Sequence, residues 1–329
     1  MWKMKGEEML RAKPRSGTTR SHEVQHRPGV WSRIFAAVLF LMIGSLGTPG
    51  VAIPGGAGDD APTAVRQRLA MEQAAKDNPF LLLPHRPNYI LPFSYSSDPN
   101  EEPFGLEPGT WDKMEIKFQI SLKVLMSESF MGGEGNLYAA YTNRSWWQTY
   151  NAERSRPFRE TNHEPELFLL YDTSWRVLGM RATSIITGIS HQSNGQGGTL
   201  SRSWNRVYLN LILESGSVVL SLKPWYRIPE REKSSPEDPG GDDNPDISRY
   251  MGSGEAGLLY RSGKNSFTLL LRNNFRSNNK GAVELGWSYP LTGKMKGYLQ
   301  VFDGYGESLI DYDHRNIKVG AGILLADWL

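Results

Sequence analysis

The chain has 329 residues, a formal net charge of +2 and no cysteine, which excludes a disulfide framework, a thiolate metal site and a strongly basic surface for nucleic acid. Its 10 Trp, 14 Tyr and 34 Gly, with a negative mean hydropathy, disfavour a helical membrane bundle.

Basic residues (Lys3, Lys5, Arg11, Lys13, Arg15, Arg20, Arg27, Arg33) precede an apolar run from Ile34 to Leu46. That run is short of the roughly 20 apolar residues a membrane-spanning helix needs. Small residues from Gly47 to Ala52 follow, so residues 1–52 read as a long secretory signal cleaved after Ala52, with an uncleaved anchor as the alternative. Residues 53–62 are rich in Gly, Pro and Asp, and 63–76 carry good helix formers. Pro79 and the P-H-R-P run at 84–87 stop that helix. Residues 53–87 are therefore expected to be an N-terminal periplasmic segment with one short helix.

From Tyr89 the chain alternates strand-like runs with turn signals. The runs fall near 88–96, 114–126, 136–147, 164–174, 178–193, 202–213, 217–227, 248–262, 266–276, 281–291, 295–306 and 314–329. Long polar connections (97–113, 148–163, 194–201, 228–247) alternate with mostly short ones, which is the pattern of an outer-membrane barrel spanning 88–329. Positions 207, 209, 211 and 213 are Val, Leu, Leu and Leu, whereas 206, 208 and 210 are Arg, Tyr and Asn. One face suits lipid and the other a polar interior. Trp146, Trp147, Trp175, Trp204, Trp225, Trp287 and Trp328 lie near strand ends, where aromatic girdles belong. A soluble β-sandwich alternates too and is the competing fold.

The stretch from His191 to Arg206 reads H-Q-S-N-G-Q-G-G-T-L-S-R-S-W-N-R. His191 and Ser193 share one strand face, a glycine-rich turn follows, and Asn205 lies on the returning strand. A serine, a base and an amide to orient it are the parts of a nucleophilic acyl-transfer site. By parity all three point outward, Asn205 with Val207 and Leu209, and His191 and Ser193 with Ile185 and Ile189. Polar groups facing lipid are costly unless paired, and a pore has little use for them; an enzyme acting on the lipid itself does. No Asp or Glu stands in the core of this stretch.

The segments H-Q-S-N-G at 191–195, S-R-S-W-N-R at 201–206, K-P-W-Y at 223–226, D-D-N-P-D-I at 242–247, P-F-R-E-T-N-H-E-P at 157–165 and G-Y-G-E-S-L-I-D-Y at 304–312 resemble the outer membrane phospholipase A family. The resemblance runs from about residue 77 to the end. It implies a twelve-stranded antiparallel transmembrane β-barrel in the bacterial outer membrane. It also implies a calcium-dependent, homodimeric enzyme acting on phospholipids and lysophospholipids. Ser193 would be the nucleophile, His191 the base, Asn205 its orienting residue and Gly195 an oxyanion donor. Calcium (Ca2+) would be held by the Ser201 hydroxyl, the Gln196 carbonyl and the Ser155 carbonyl of the partner subunit, and Asn143 would face the dimer partner. Two positions depart from the family pattern: the chain ends in Trp-Leu, and Gly198 stands where some relatives place an acidic ligand. That second departure puts in doubt a further calcium site at Asp242 or Asp243.

The acidic loop from Glu230 to Asp246 reads as solvated rather than metal-binding. Arg202 and Arg206 read as parts of a lumen charge network with Glu115 or Glu166. His163 and His314 belong to no recognisable constellation. The functional alternatives are a non-enzymatic barrel, pore or adhesin, and a barrel protease, which lacks the carboxylate cluster it would need.

Overall fold

The computed structural model describes residues 64–74, 82–235, 238, 240–293 and 295–327. The secretory signal expected at 1–52 and Trp328 lie outside the described residues.

Helix α1 covers Ala64–Ala74. Twelve long antiparallel strands follow among the described residues: β1 (Asn88–Ser96), β2 (Met114–Ser127), β3 (Asn136–Trp147), β4 (Phe158–Asp172), β5 (Met180–Ser193), β6 (Ser203–Ser215), β7 (Val218–Ile228), β8 (Gly254–Ser262), β9 (Asn265–Asn273), β10 (Gly281–Thr292), β11 (Met295–Tyr305) and β12 (Arg315–Ala326). Two-residue pairings at Leu83–Pro84 and Arg176–Val177 add to the same sheet. Each strand pairs with its sequence neighbours, and β12 returns to β1 with Lys318 opposite Ser96 and Leu324 opposite Tyr89. Closure removes every long free edge, which rules out the two-sheet sandwich and gives a barrel.

The two faces follow from the alternation. Ile120, Leu167, Ile189, Val207 and Leu209 are exposed on the outer wall, a band that lipid can cover. The lumen carries charge instead. Arg86 donates to Glu164 and Glu166, Lys223 reaches Glu166, and Arg206 donates to Glu164 at 2.6 Å. Nearer the long loops, Glu115 accepts from Arg159 and Lys318. Helix α1 is tied to the barrel by Glu72, which pairs with Lys123 at 2.8 Å, and by the Ala64 N–H on Glu214. Between these ion pairs the described residues enclose a cavity of about 280 Å³ lined by Arg86, Glu164 and Arg206.

Four sequence expectations need correction. Strand β4 starts at Phe158 rather than near 164, and β8 starts at Gly254 because Ser248–Met251 forms a helical turn, α2, instead of strand. Trp146, Trp204 and Trp225 are buried rather than in a girdle. Trp204 and Trp225 meet edge to face, with the Arg206 guanidinium 4.2 Å from the Trp204 ring centre. Their parity explains this, since Trp204 shares a face with Arg206 and Tyr208 and not with Val207. Arg206 does belong to the lumen network, through Glu164 rather than Glu115 or Glu166. Arg202 does not: its guanidinium donates to the carbonyls of Thr199 and Ser201 and braces a loop.

Candidate active site on the outer wall

The last residues of β5 and the first of β6 form the centre of the site. Register places His191 opposite Asn205 and Ser193 opposite Ser203. His191 is exposed, and Ser193 and Asn205 are half-buried, on the outward face at the long-loop end. His191 Nδ1 and Asn205 Oδ1 are 2.8 Å apart. The orientation of the amide is set from its other side, where Asn205 Nδ2 donates to Glu230 Oε1 at 2.9 Å. A carboxylate only accepts, so the amide oxygen must face the imidazole, and the imidazole proton sits on Nδ1. The Nε2 lone pair is then available as a base. No hydrogen bond joins the Ser193 hydroxyl to His191 among the described residues. In sites without substrate this contact is often long and closes only when substrate is bound.

The loop 194–202 is held by one buried side chain. Asn194 Nδ2 donates to the Leu200 carbonyl at 2.8 Å, and its Oδ1 accepts from the N–H groups of Arg202 at 2.9 Å and Gln196 at 3.3 Å. Asn194 thus does for the loop what a turn hydrogen bond would do for a shorter connection. Gly195 has φ +66°, a left-handed conformation that favours glycine. A Cβ there would lie 3.7 Å from the His163 ring, so the glycine packs beside that imidazole.

His163 belongs to no constellation visible in local spacing, yet β4 places it directly opposite Ser193 on one side and Asn143 on the other. Its Nδ1 lies 2.6 Å from the Tyr141 hydroxyl and 3.4 Å from Asn143 Nδ2. The missed signal was parity: His163 shares the outward face with Leu167. Asn143 faces outward as expected, and its Oδ1 also accepts from Ser145 Oγ at 3.1 Å.

A second loop, 229–253, folds over the first. Asp243 Oδ2 accepts from Ser201 Oγ at 2.8 Å and from Ser203 Oγ at 3.0 Å, while Lys233 pairs with Oδ1 of the same carboxylate. Asp242 pairs with Arg227. In the exposed part of this loop, hydrogen bonds from Arg231 and from the Ser234 backbone and hydroxyl hold the Asp238 carboxylate well below its usual range. Gln196 and Gly198 are exposed in loop 194–202. Ser155 stands in a different loop, 148–157, with φ +59°, and within the chain no hydrogen bond joins it to Ser201. His314 caps Asp98 at the mouth, its Nε2 2.9 Å from the Asp98 carbonyl oxygen, and has no part in the site.

The Phospholipase A1 family model matches residues 65–325. Phospholipase A1 of Escherichia coli strain K12 is 39% identical over 272 residues, covering 82% of this chain and 89% of the relative. The Klebsiella pneumoniae enzyme is 40% identical over 255 residues, covering 76% and 84%. Among solved structures, outer membrane phospholipase A from Escherichia coli superposes with a TM-score of 0.70 at 40% identity over 77% of this chain and 95% of that one. A Salmonella typhi outer membrane phospholipase dimer with bound calcium gives 0.69 at 39% identity over 76% and 94%. A barrel with an apolar outer band and a histidine–asparagine pair on that wall, matched over most of its length by these enzymes, belongs to the phospholipase A1 family of the bacterial outer membrane.

Proposed function

We propose that the chain is a calcium-dependent, homodimeric phospholipase that hydrolyses acyl esters of phospholipids and lysophospholipids, with Ser193 as nucleophile, His191 as general base and Asn205 orienting the imidazole. The observation that carries this reading is the 2.8 Å bond between His191 Nδ1 and Asn205 Oδ1, two residues from Ser193 on a lipid-facing wall. An active-site mutant of the Escherichia coli enzyme in which alanine replaces an asparagine supports the assignment of Asn205.

The chemistry follows from the fixed tautomer. Ser193 Oγ attacks the acyl carbonyl carbon while His191 Nε2 takes its proton. The tetrahedral oxyanion accepts from the Gly195 N–H, which the left-handed turn exposes. The ester C–O bond breaks, and the glycerol oxygen leaves with the proton from His191. Water, deprotonated by the same imidazole, then hydrolyses the acyl-serine and releases the fatty acid.

The oxygen donors near the site suit a hard cation. The Ser201 hydroxyl already meets one carboxylate oxygen, Asp243 Oδ2, and the Gln196 carbonyl lies in the same exposed loop. Ser201, Gln196 and Ser155 of the partner subunit would hold calcium. When bound, the ion supplies positive charge and a polarised water to the oxyanion. The calcium-bound dimer of the Salmonella typhi relative supports both the metal and the assembly. The position of Asn143, a polar side chain facing lipid at mid-strand, supports the assembly, because burial against a second copy lowers its cost.

The test is fatty-acid release from phospholipid by purified protein in detergent. Release should require calcium and stop on chelation, and Ser193→Ala should abolish it while heat-modifiable migration of the barrel is retained. Full calcium-dependent release by Ser193→Ala would overturn the assignment. A lumen crossed by ion pairs disfavours the pore alternative.

A further inference from the structure

Asn205 is not the end of the hydrogen-bonded line that starts at His191. Its Nδ2 donates to Glu230 Oε1 at 2.9 Å, while its Oδ1 faces His191 Nδ1 at 2.8 Å. Glu230 lies just past the end of β7, where Ile228 is the register partner of Asn205, and it is half-buried. The short distance from β7 therefore fixes the carboxylate beside the amide, although Glu230 is 25 residues from Asn205 in sequence.

The nearby cations are committed elsewhere. Arg227 pairs with Asp242, Arg231 with Asp238 and Lys233 with Asp243. Among the described residues Asn205 is the hydrogen-bond partner of the Glu230 carboxylate and no cation pairs with it. Its negative charge is thus directed along the amide dipole toward the imidazole. A bond to an ionised acceptor is stronger than a neutral one, and bonds in series polarise one another. A neutral asparagine stabilises an imidazolium less than a carboxylate does, and a carboxylate behind the asparagine offsets part of that deficit.

Building on the serine–histidine–asparagine reading, we propose that Glu230 is a positioning residue of the site: it locks the Asn205 amide and supplies, through it, the negative charge that favours the imidazolium formed during acyl transfer. The loop that carries Glu230 is then part of the catalytic relay as well as a cover for the turn at 194–202.

The experiment is a double-mutant cycle on the purified protein in detergent, assayed for fatty-acid release at saturating calcium. Glu230→Gln keeps an acceptor oxygen and removes the charge, so kcat should fall by about tenfold, on the order of one charge-assisted bond, with KM little changed. Asn205→Ala should cost more. In the Asn205→Ala background Glu230→Gln should have no further effect beyond about twofold, because coupled residues do not contribute independently. Glu230→Asp, which keeps the charge, should recover part of the loss. Heat-modifiable migration and the calcium midpoint should stay as in the parent. An equal loss from Glu230→Gln in both backgrounds, or unchanged kcat in the single variant, would overturn the relay. Failure of the underlying triad is distinguishable, since it appears as retained release by Ser193→Ala, whatever Glu230 does.

Discussion

His163 stands directly across the β4–β5 pairing from Ser193, and its Nδ1 lies 2.6 Å from the hydroxyl of Tyr141. Asn143 Nδ2, which can only donate, approaches the same nitrogen at 3.4 Å. Nδ1 is therefore the acceptor, and the neutral ring carries its proton on Nε2, beside Gly195. The ring packs against the left-handed turn at Gly195 and at the same time joins Asn143 to the strand that carries Ser193.

His163→Leu should accordingly lower kcat by about tenfold, short of the roughly hundredfold loss that follows a misplacement of about 1 Å at a reacting group. The barrel should remain folded. Initial rates over a range of substrate concentrations check this; unchanged kcat would mean that the ring only fills space on the wall.

Asn194→Ala removes four hydrogen bonds, three that hold the backbone of loop 194–202 and one from Nδ2 to Glu160 Oε2, and takes away the acceptor of the Gln196 and Arg202 N–H groups. Each lost hydrogen bond costs about 0.5–1.5 kcal/mol, and the sum is large for a loop of this length. Activity should fall by more than tenfold and the calcium midpoint should rise, because Gln196 and Ser201 lose their fixed relation. A calcium titration of fatty-acid release measures both.

Asp243→Asn should weaken the response to calcium without eliminating activity at high calcium. The carboxylate orders the Ser201 and Ser203 hydroxyls at 2.8 and 3.0 Å, and an amide in its place donates where the hydroxyls need an acceptor. The expected change is a rightward shift of the calcium curve with the plateau kept. A lowered plateau at an unchanged midpoint would contradict the role.

The alternation that defines the barrel was legible because a strand repeats every second residue, and Val207, Leu209 and Leu211 against Arg206, Tyr208 and Asn210 leave little choice of face. The same rule placed His191, Ser193, Asn205 and Asn143 outward. It lost β4 before residue 164 because the outward residues there, Thr161 and His163, are polar: they border the site and break the apolar pattern. Trp204 was placed in a girdle by its nearness to a strand end, although its parity already pointed inward. Glu230 was out of reach of the pattern. Its partner is set by the β6–β7 register and by the path of a long loop, and neither is encoded in local spacing. The acidic loop was read as solvated, and only its exposed tip, at Arg231 and Asp238, behaves so.

The loop 306–314 gives a pH prediction. Burial pushes the Glu307 carboxyl up, but the ammonium groups of Lys117 and Lys318 outweigh it and hold the group below its ordinary value of 4.5. Asp311 is likewise lowered, burial being overcome by Arg159 and Lys318. A folded-state value below the unfolded one stabilises the fold fully above the ordinary carboxylate range, and that stability is lost as pH falls through the lowered values. The temperature at which the barrel migrates as unfolded should therefore be flat near neutrality and drop in acid, below about pH 4.5. Glu307→Gln should lower that temperature at neutral pH and flatten its fall in acid.

The central claim, that Ser193 is a nucleophile activated by His191 on the outer wall, is tested most directly by covalent trapping. The protein in detergent with calcium is treated with a long-chain alkyl sulfonyl fluoride, and the modified residue is located by peptide mass spectrometry. Sulfonylation of Ser193 that parallels loss of fatty-acid release, and that disappears in His191→Ala, is the predicted result. Loss of release with the label on another residue, or continued release after Ser193 is fully modified, would contradict it.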